Sequence, residues 1–153
     1  MRFLAGALLF ASIAPASLAA SPGLPEGKWW KRPRLAAEIN LTADQAREIE
    51  AIFSRARPGL IDRKAALEKK QGDLEEALES STDRRTISAK VEAVENARAE
   101  LQKARILMVL DMKEVLKPDQ WEQLVRMREQ LRERRMDRLE RFRERRMDRR
   151  REP

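Results

Sequence analysis

The chain has 153 residues and a net charge of +7, with 39% charged residues, 5% aromatics and only 5 glycines. That composition suits one small domain of long solvated helices and speaks against a compact sheet. The absence of cysteine excludes disulfides, thiol nucleophiles and Cys-ligated zinc, and the absence of histidine removes the commonest general base and the commonest transition-metal ligand.

The N-terminus reads as a secretory signal. Arg2 supplies a positive start, residues 3–13 form an apolar run, Pro15 breaks it, and Ser17-Leu18-Ala19 puts small residues where signal peptidase reads. Cleavage is expected after Ala19, making 1–19 the signal peptide. The run is short for a membrane anchor, and no later segment is apolar for longer. The mature product is therefore expected outside the cytoplasm. For so small a chain without cysteine, a periplasm fits better than an animal extracellular space.

Residues 20–33 carry Pro22, Pro25 and Pro33 with Gly23 and Gly27, which predicts an irregular arm. It contains the basic, aromatic cluster Lys28-Trp29-Trp30-Lys31-Arg32. A short helix is expected over 34–39. Leu41-Thr42-Ala43-Asp44-Gln45 then opens a long helix, with Thr42 at the N-cap and Gln45 three residues on as a capping box. Leu41 can staple to Ala46. Apolar residues recur at Ile49, Phe53, Ala56, Leu60, Leu67, Leu74 and Leu78, close to a heptad. Pro58-Gly59 interrupts the stripe, which resumes in phase, so a kink is expected there.

Ser80-Ser81-Thr82-Asp83 reads as a short polar turn. A second long helix follows, with Ile87, Val91, Val94, Leu101, Met108, Met112 and Val115 on one face. Two helices of about 35 residues, each about 50 Å long and joined by so short a turn, must run antiparallel. Leu116-Lys117-Pro118-Asp119-Gln120-Trp121 starts a further helix: Pro118 fits the first helical position, and Asp119 the positive end of the dipole. Lys117 stands in the cap slot without a capping side chain. Trp121, Leu124, Val125 and Leu131 continue an apolar face.

From Leu131 the chain repeats itself: LRERRMDRLER over 131–141, then FRERRMDRRRE over 142–152. A period of 11, about 3.67 residues per turn, lets the helix continue nearly straight. Acidic residues (Glu129, Glu133, Asp137, Glu140, Glu144, Asp148) fall on one side. Leu131, Met136, Leu139, Phe142 and Met147 fall on the other, flanked by arginine. Pairs such as Arg134–Asp137, Asp137–Arg141 and Arg145–Asp148 are expected to support the helix. Residues 20–125 balance at 19 basic and 19 acidic, whereas 126–153 hold 13 basic and 7 acidic, so the basic excess sits in the tail.

The two segments Leu41-Thr42-Ala43-Asp44-Gln45 and Leu116-Lys117-Pro118-Asp119-Gln120 match one pattern, each opening a helix at one end of the hairpin. This resembles the LTxxQ motif of the Spy/CpxP family of periplasmic stress proteins. The superfamily also holds zinc-resistance-associated proteins and nickel–cobalt resistance sensors. The resemblance covers 28–130 and departs at Lys117, where threonine is expected. It implies a kinked hairpin that dimerises into a thin cradle. Spy-like members hold unfolding clients there without ATP, and CpxP-like members restrain an envelope-stress sensor kinase.

The expectation is thus an all-α fold: a kinked antiparallel helical hairpin domain over 34–130, a short N-terminal helix, a long basic C-terminal helix with its tail at 131–153, and a homodimer. The function expected is an ATP-independent periplasmic chaperone or envelope-stress regulator. The alternatives are a heavy-metal sensor or a membrane-surface adaptor working through the tail. No enzyme, cofactor or metal ligand set is expected, because Asp111-Met112 and the acidic stripe offer at most loose cation contacts. Partners would be unfolded or envelope proteins, a sensor kinase or an anti-sigma protein. Export argues against nucleic acid. The motif residues Leu41, Thr42, Gln45, Leu116, Pro118 and Gln120 are first of all helix starts. Trp29, Trp30, Arg98, Arg105, Met108 and Met112 are the candidate partner-binding residues, with covering of the dimer or hairpin core the favoured reading for the two tryptophans.

Overall fold

The structure, a computed structural model, describes residues 27–80 and 83–148. The signal-peptide reading and the first part of the arm lie outside them, as do Ser81 and Thr82 of the expected turn. The described chain is all-α. A 3-10 turn at Trp29–Lys31 is followed by α1 (Pro33–Glu38), α2 (Ala43–Ser80), α3 (Arg84–Val115) and α4 (Pro118–Asp148). α2 and α3 pack along their length as an antiparallel hairpin.

Local chemistry accounts for each boundary. The arm, expected to be irregular, is turned by Gly27 at φ 73° and closed by the Trp29 N–H donating to the Gly27 carbonyl at 3.0 Å. Pro33 occupies the first turn of α1, where a missing N–H costs nothing, so this helix starts one residue earlier than expected. It ends in a Schellman motif: the Leu41 N–H donates to the Ala36 carbonyl at 2.8 Å and the Asn40 N–H to the Ala37 carbonyl at 3.1 Å. Asn40 takes the left-handed position at φ 51°, which asparagine tolerates better than most residues.

α2 runs uninterrupted through Pro58. α3 is capped by Asp83, whose carboxylate accepts from the N–H groups of Arg85 and Thr86 at 3.2 and 3.1 Å. Hydrogen bonds from the Thr86 hydroxyl and these two N–H groups hold the Asp83 carboxyl below its usual pKa.

The larger core lies at the open end of the hairpin, where α1, α2, α3 and the start of α4 converge. Ile39, Ile49, Ile52, Val109, Met112, Leu116, Leu124 and Met127 are buried there with both tryptophans of the arm. A smaller cluster of Leu67, Val94 and Leu101 stitches the middle of the shaft. Leu78 and Val91, both on the expected stripes, are 57% and 43% exposed. Among the described residues only α2 and α3 pack against each other along the shaft, so a side chain is buried there only where it points into their shared seam.

Candidate functional site

The two glutamine-bearing helix starts meet in space. The first is a complete capping box: the Gln45 N–H donates to Thr42 Oγ1 at 3.2 Å, and the Thr42 N–H donates to Gln45 Oε1 at 3.1 Å. The second is half of one, with the Lys117 N–H donating to Gln120 Oε1 at 2.9 Å. The amides of Gln45 and Gln120 then bond each other reciprocally, Gln45 Nε2 to Gln120 Oε1 at 2.8 Å and Gln120 Nε2 to Gln45 Oε1 at 3.1 Å. The second N–H of each amide goes to backbone: that of Gln45 to the Val115 carbonyl at 3.0 Å, and that of Gln120 shared between the carbonyls of Ile39 and Asn40 at 3.1 Å each.

Gln120 is the one buried polar side chain among the described residues, and every polar atom of its amide is used. This is a clasp that ties the end of α1, the start of α2, the end of α3 and the start of α4 together. A closed network of this kind has no donor or acceptor left for a substrate. Leu41 is half-buried and Leu116 buried in the adjoining core, while Thr42 and Pro118 face solvent.

The arm is held by a second polar knot. Glu50 accepts from Lys28 Nζ at 2.6 Å and from Trp30 Nε1 at 2.7 Å, with Lys31 Nζ at 3.2 Å. These partners, Lys28 first and Trp30 next, lower its pKa from 4.5 to about 2. Trp29 and Trp30 meet edge to face with ring centres 5.7 Å apart, and Trp30 leans on Phe53 at 5.3 Å. Lys28 sits over the Phe53 ring, 4.8 Å from its centre. Both tryptophans are thus core: they are 1% and 5% exposed, so a partner could reach them only by displacing the arm. The Trp29 Nε1–H is buried without an acceptor, and nothing in the structure explains it.

The other candidate partner residues separate. Met112 is 1% exposed and belongs to the core. Arg98 is exposed and pairs with Glu95 at 2.7 Å on its own helix. Arg105 is half-buried on the seam. Met108 lines a shallow groove of about 320 Å³ between α2 and α3. It is lined by Ala56, Ala104, Leu107 and Met108 together with the charged Arg63, Glu100, Lys103 and Asp111. Leu107 carries the groove over into an exposed aliphatic patch of α3, where Ile106, Leu107 and Leu110 are 43%, 50% and 47% exposed. Spacings of three and four residues make these one patch. The heptad pattern does not reveal this patch, because it lies off the seam. The only signal for it is the density of aliphatics over 106–110, too many for one stripe.

The donor set does not fit a tightly held heavy metal. The chain has neither histidine nor cysteine, and no group of three ligating side chains exists among the described residues. No helix among them is long and apolar enough to cross a membrane. A family model described as heavy-metal resistance matches residues 2–123. No curated protein and no solved structure matches the chain.

Proposed function

Since the chain belongs to the heavy-metal resistance family, within the Spy/CpxP-like helical superfamily, we propose that it is an exported, ATP-independent holding protein of the periplasm. Its ligands are unfolded or stress-damaged polypeptides, and its binding face is the exposed aliphatic patch of α3. One observation carries this reading: Ile106, Leu107 and Leu110 stand together in solvent at a groove lined in part by charged residues. Aliphatic side chains in an open, shallow setting gain roughly 25 cal/mol per Å² of apolar surface covered, whatever the partner's sequence. They impose little shape specificity. Charges of both signs around them suit polar flanks of either sign. The same face would serve a folded envelope partner, such as a sensor kinase or an anti-sigma protein.

Binding rather than catalysis is further supported by the composition, which offers no histidine or cysteine. The motif glutamines act here as a structural clasp, so client contact is assigned away from them. The test is suppression of light scattering from a thermally unfolding protein at stoichiometric ratios. The wild-type chain should suppress it, and a variant with Ile106→Ser, Leu107→Ser and Leu110→Ser should not. Equal behaviour of the two would remove the α3 face from the proposal, and no suppression by the wild type would remove the chaperone function.

The family description favours a second reading, a metal-responsive sensor or buffer. With carboxylates and methionines as the only side-chain donors, zinc, nickel and cobalt should bind weakly or not at all. Calorimetry decides between the two: micromolar binding of any of these ions at a defined stoichiometry would favour the sensor. On the first reading, heavy-metal resistance comes from protecting envelope proteins, not from capturing the ion.

A further inference from the structure

The family match ends at residue 123, and α4 runs on to Asp148. Gln120, Leu124 and Met127 hold the start of this helix to the body, but every residue from 129 to 147 is exposed. Large apolar side chains nevertheless persist along this stretch: Leu131, Met136, Leu139, Phe142 and Met147, between 46% and 62% exposed.

Their placement is ordered. At about 100° per residue, Leu131, Leu139 and Phe142 lie within roughly 60° of the line through buried Leu124, whereas Met136 and Met147 fall roughly 120° and 140° from it. Arg128, Arg132, Arg138, Arg143 and Arg146 border that line on both sides. Glu129, Glu133, Asp137, Glu140 and Glu144 gather on the opposite side, within roughly 40° of its centre. Of the ion pairs expected along the tail, Arg145–Asp148 lies outside the described side chains. Among the described residues no ion pair joins Arg134 or Arg141 to Asp137. Arg141 Nε instead donates to the Asp137 carbonyl at 3.3 Å, and Arg145 Nε to the Arg141 carbonyl at 3.2 Å.

This three-way division selects the occupant. A second copy of the tail packed stripe to stripe would bring the bordering arginines of both helices together, with the acidic sides facing away. A folded acidic protein would call for a central apolar anchor, whereas here Leu131, Leu139 and Phe142 are spread over roughly 16 Å of helix. An anionic bilayer offers what the face needs: phosphates at the level of the guanidinium groups and hydrocarbon just beneath them. We propose that residues 131–147 lie along the surface of anionic phospholipid, with Leu131, Leu139 and Phe142 at the acyl boundary. The acidic side faces water, and the hairpin body is held beside the membrane. The proposal is independent of the client face on α3.

The experiment is flotation of the mature chain with phosphatidylcholine vesicles, with and without phosphatidylglycerol. The wild type should float only with the anionic vesicles, and less as salt is raised. Leu139→Ser with Phe142→Ser should weaken that binding on the order of tenfold or more, and Arg138→Glu with Arg143→Glu should abolish it. Helical circular dichroism of both variants should match wild type, since none of these side chains is buried. Flotation with both vesicle types, with neither, or unchanged in either variant overturns the proposal. Preference for a soluble polyglutamate over the vesicles, or a halved native mass in the Leu139→Ser, Phe142→Ser variant, overturns it in favour of an acidic protein or a second copy.

Discussion

At the scale of single residues, the clasp of Gln45 and Gln120 is where side-chain identity matters most. Either glutamine replaced by alanine leaves partners of the other unsatisfied in a part-buried setting, at a cost of about 1–3 kcal/mol. The double variant should lose less than the two single losses summed, because the pair is a unit. Urea unfolding of the four proteins measures this, and strict additivity would dissolve the clasp. Lys117 marks the missing half of the second box. Lys117→Thr should supply an oxygen for the Gln120 N–H and stabilise by about 1 kcal/mol, read in the same titrations.

Glu50 gives the pH dependence. Its folded-state pKa of about 2 lies below the ordinary 4.5, so its contribution is fully present above pH 4.5 and is lost as pH falls toward 2. Tryptophan emission should shift red over that window in the wild type. In Glu50→Gln the arm should already be loosened at neutral pH, leaving a smaller change. Identical titrations of the two proteins would show that the knot does not hold the arm.

At the scale of elements, the helix starts were legible from sequence wherever a cap acts within three residues, as at Thr42 and Pro118. The Schellman end of α1 and the Asp83 cap follow the same local rules and were readable in principle from Asn40-Leu41 and from Asp83 with Thr86. The shaft is less evenly supported than its stripe suggested. Leu101 is 1% exposed and Leu78 is 57% exposed, although both are stripe leucines. Leu101→Ala should therefore cost about 2–5 kcal/mol, while Leu78→Ala should fall within about 0.5 kcal/mol of wild type. Thermal unfolding of the two variants distinguishes a graded hairpin from one held uniformly along its length.

At the scale of the whole molecule, a neutral body and a basic tail divide the work. The body is two helices thick over most of its length, so it has more outer face than core, and Ile61 joins the α3 patch among its exposed aliphatics. A homodimer is the expected way to cover part of that surface. Light scattering coupled to size exclusion should return twice the mass of one chain, and a monomer at micromolar concentration would exclude the two-copy cradle. The Ile106→Ser, Leu107→Ser, Leu110→Ser variant separates the roles of the patch. If the mass halves, the patch is the dimer interface; if the mass holds while suppression is lost, it faces the client.

Helical class, helix starts, the hairpin and the segregated charge of the tail were all determined by the sequence alone. Each depends on periodicity or on hydrogen bonds that close within one turn. The destination of the long-range groups was decided only by the tertiary structure. Gln45 and Gln120 are paired across the fold, Glu50 gathers Lys28, Trp30 and Lys31 from the arm, both tryptophans are buried, and Ile106, Leu107 and Leu110 are left outside. The rotation of one helix against another settles such contacts. No local propensity encodes that rotation, because it follows from which side chains fill the shared core first.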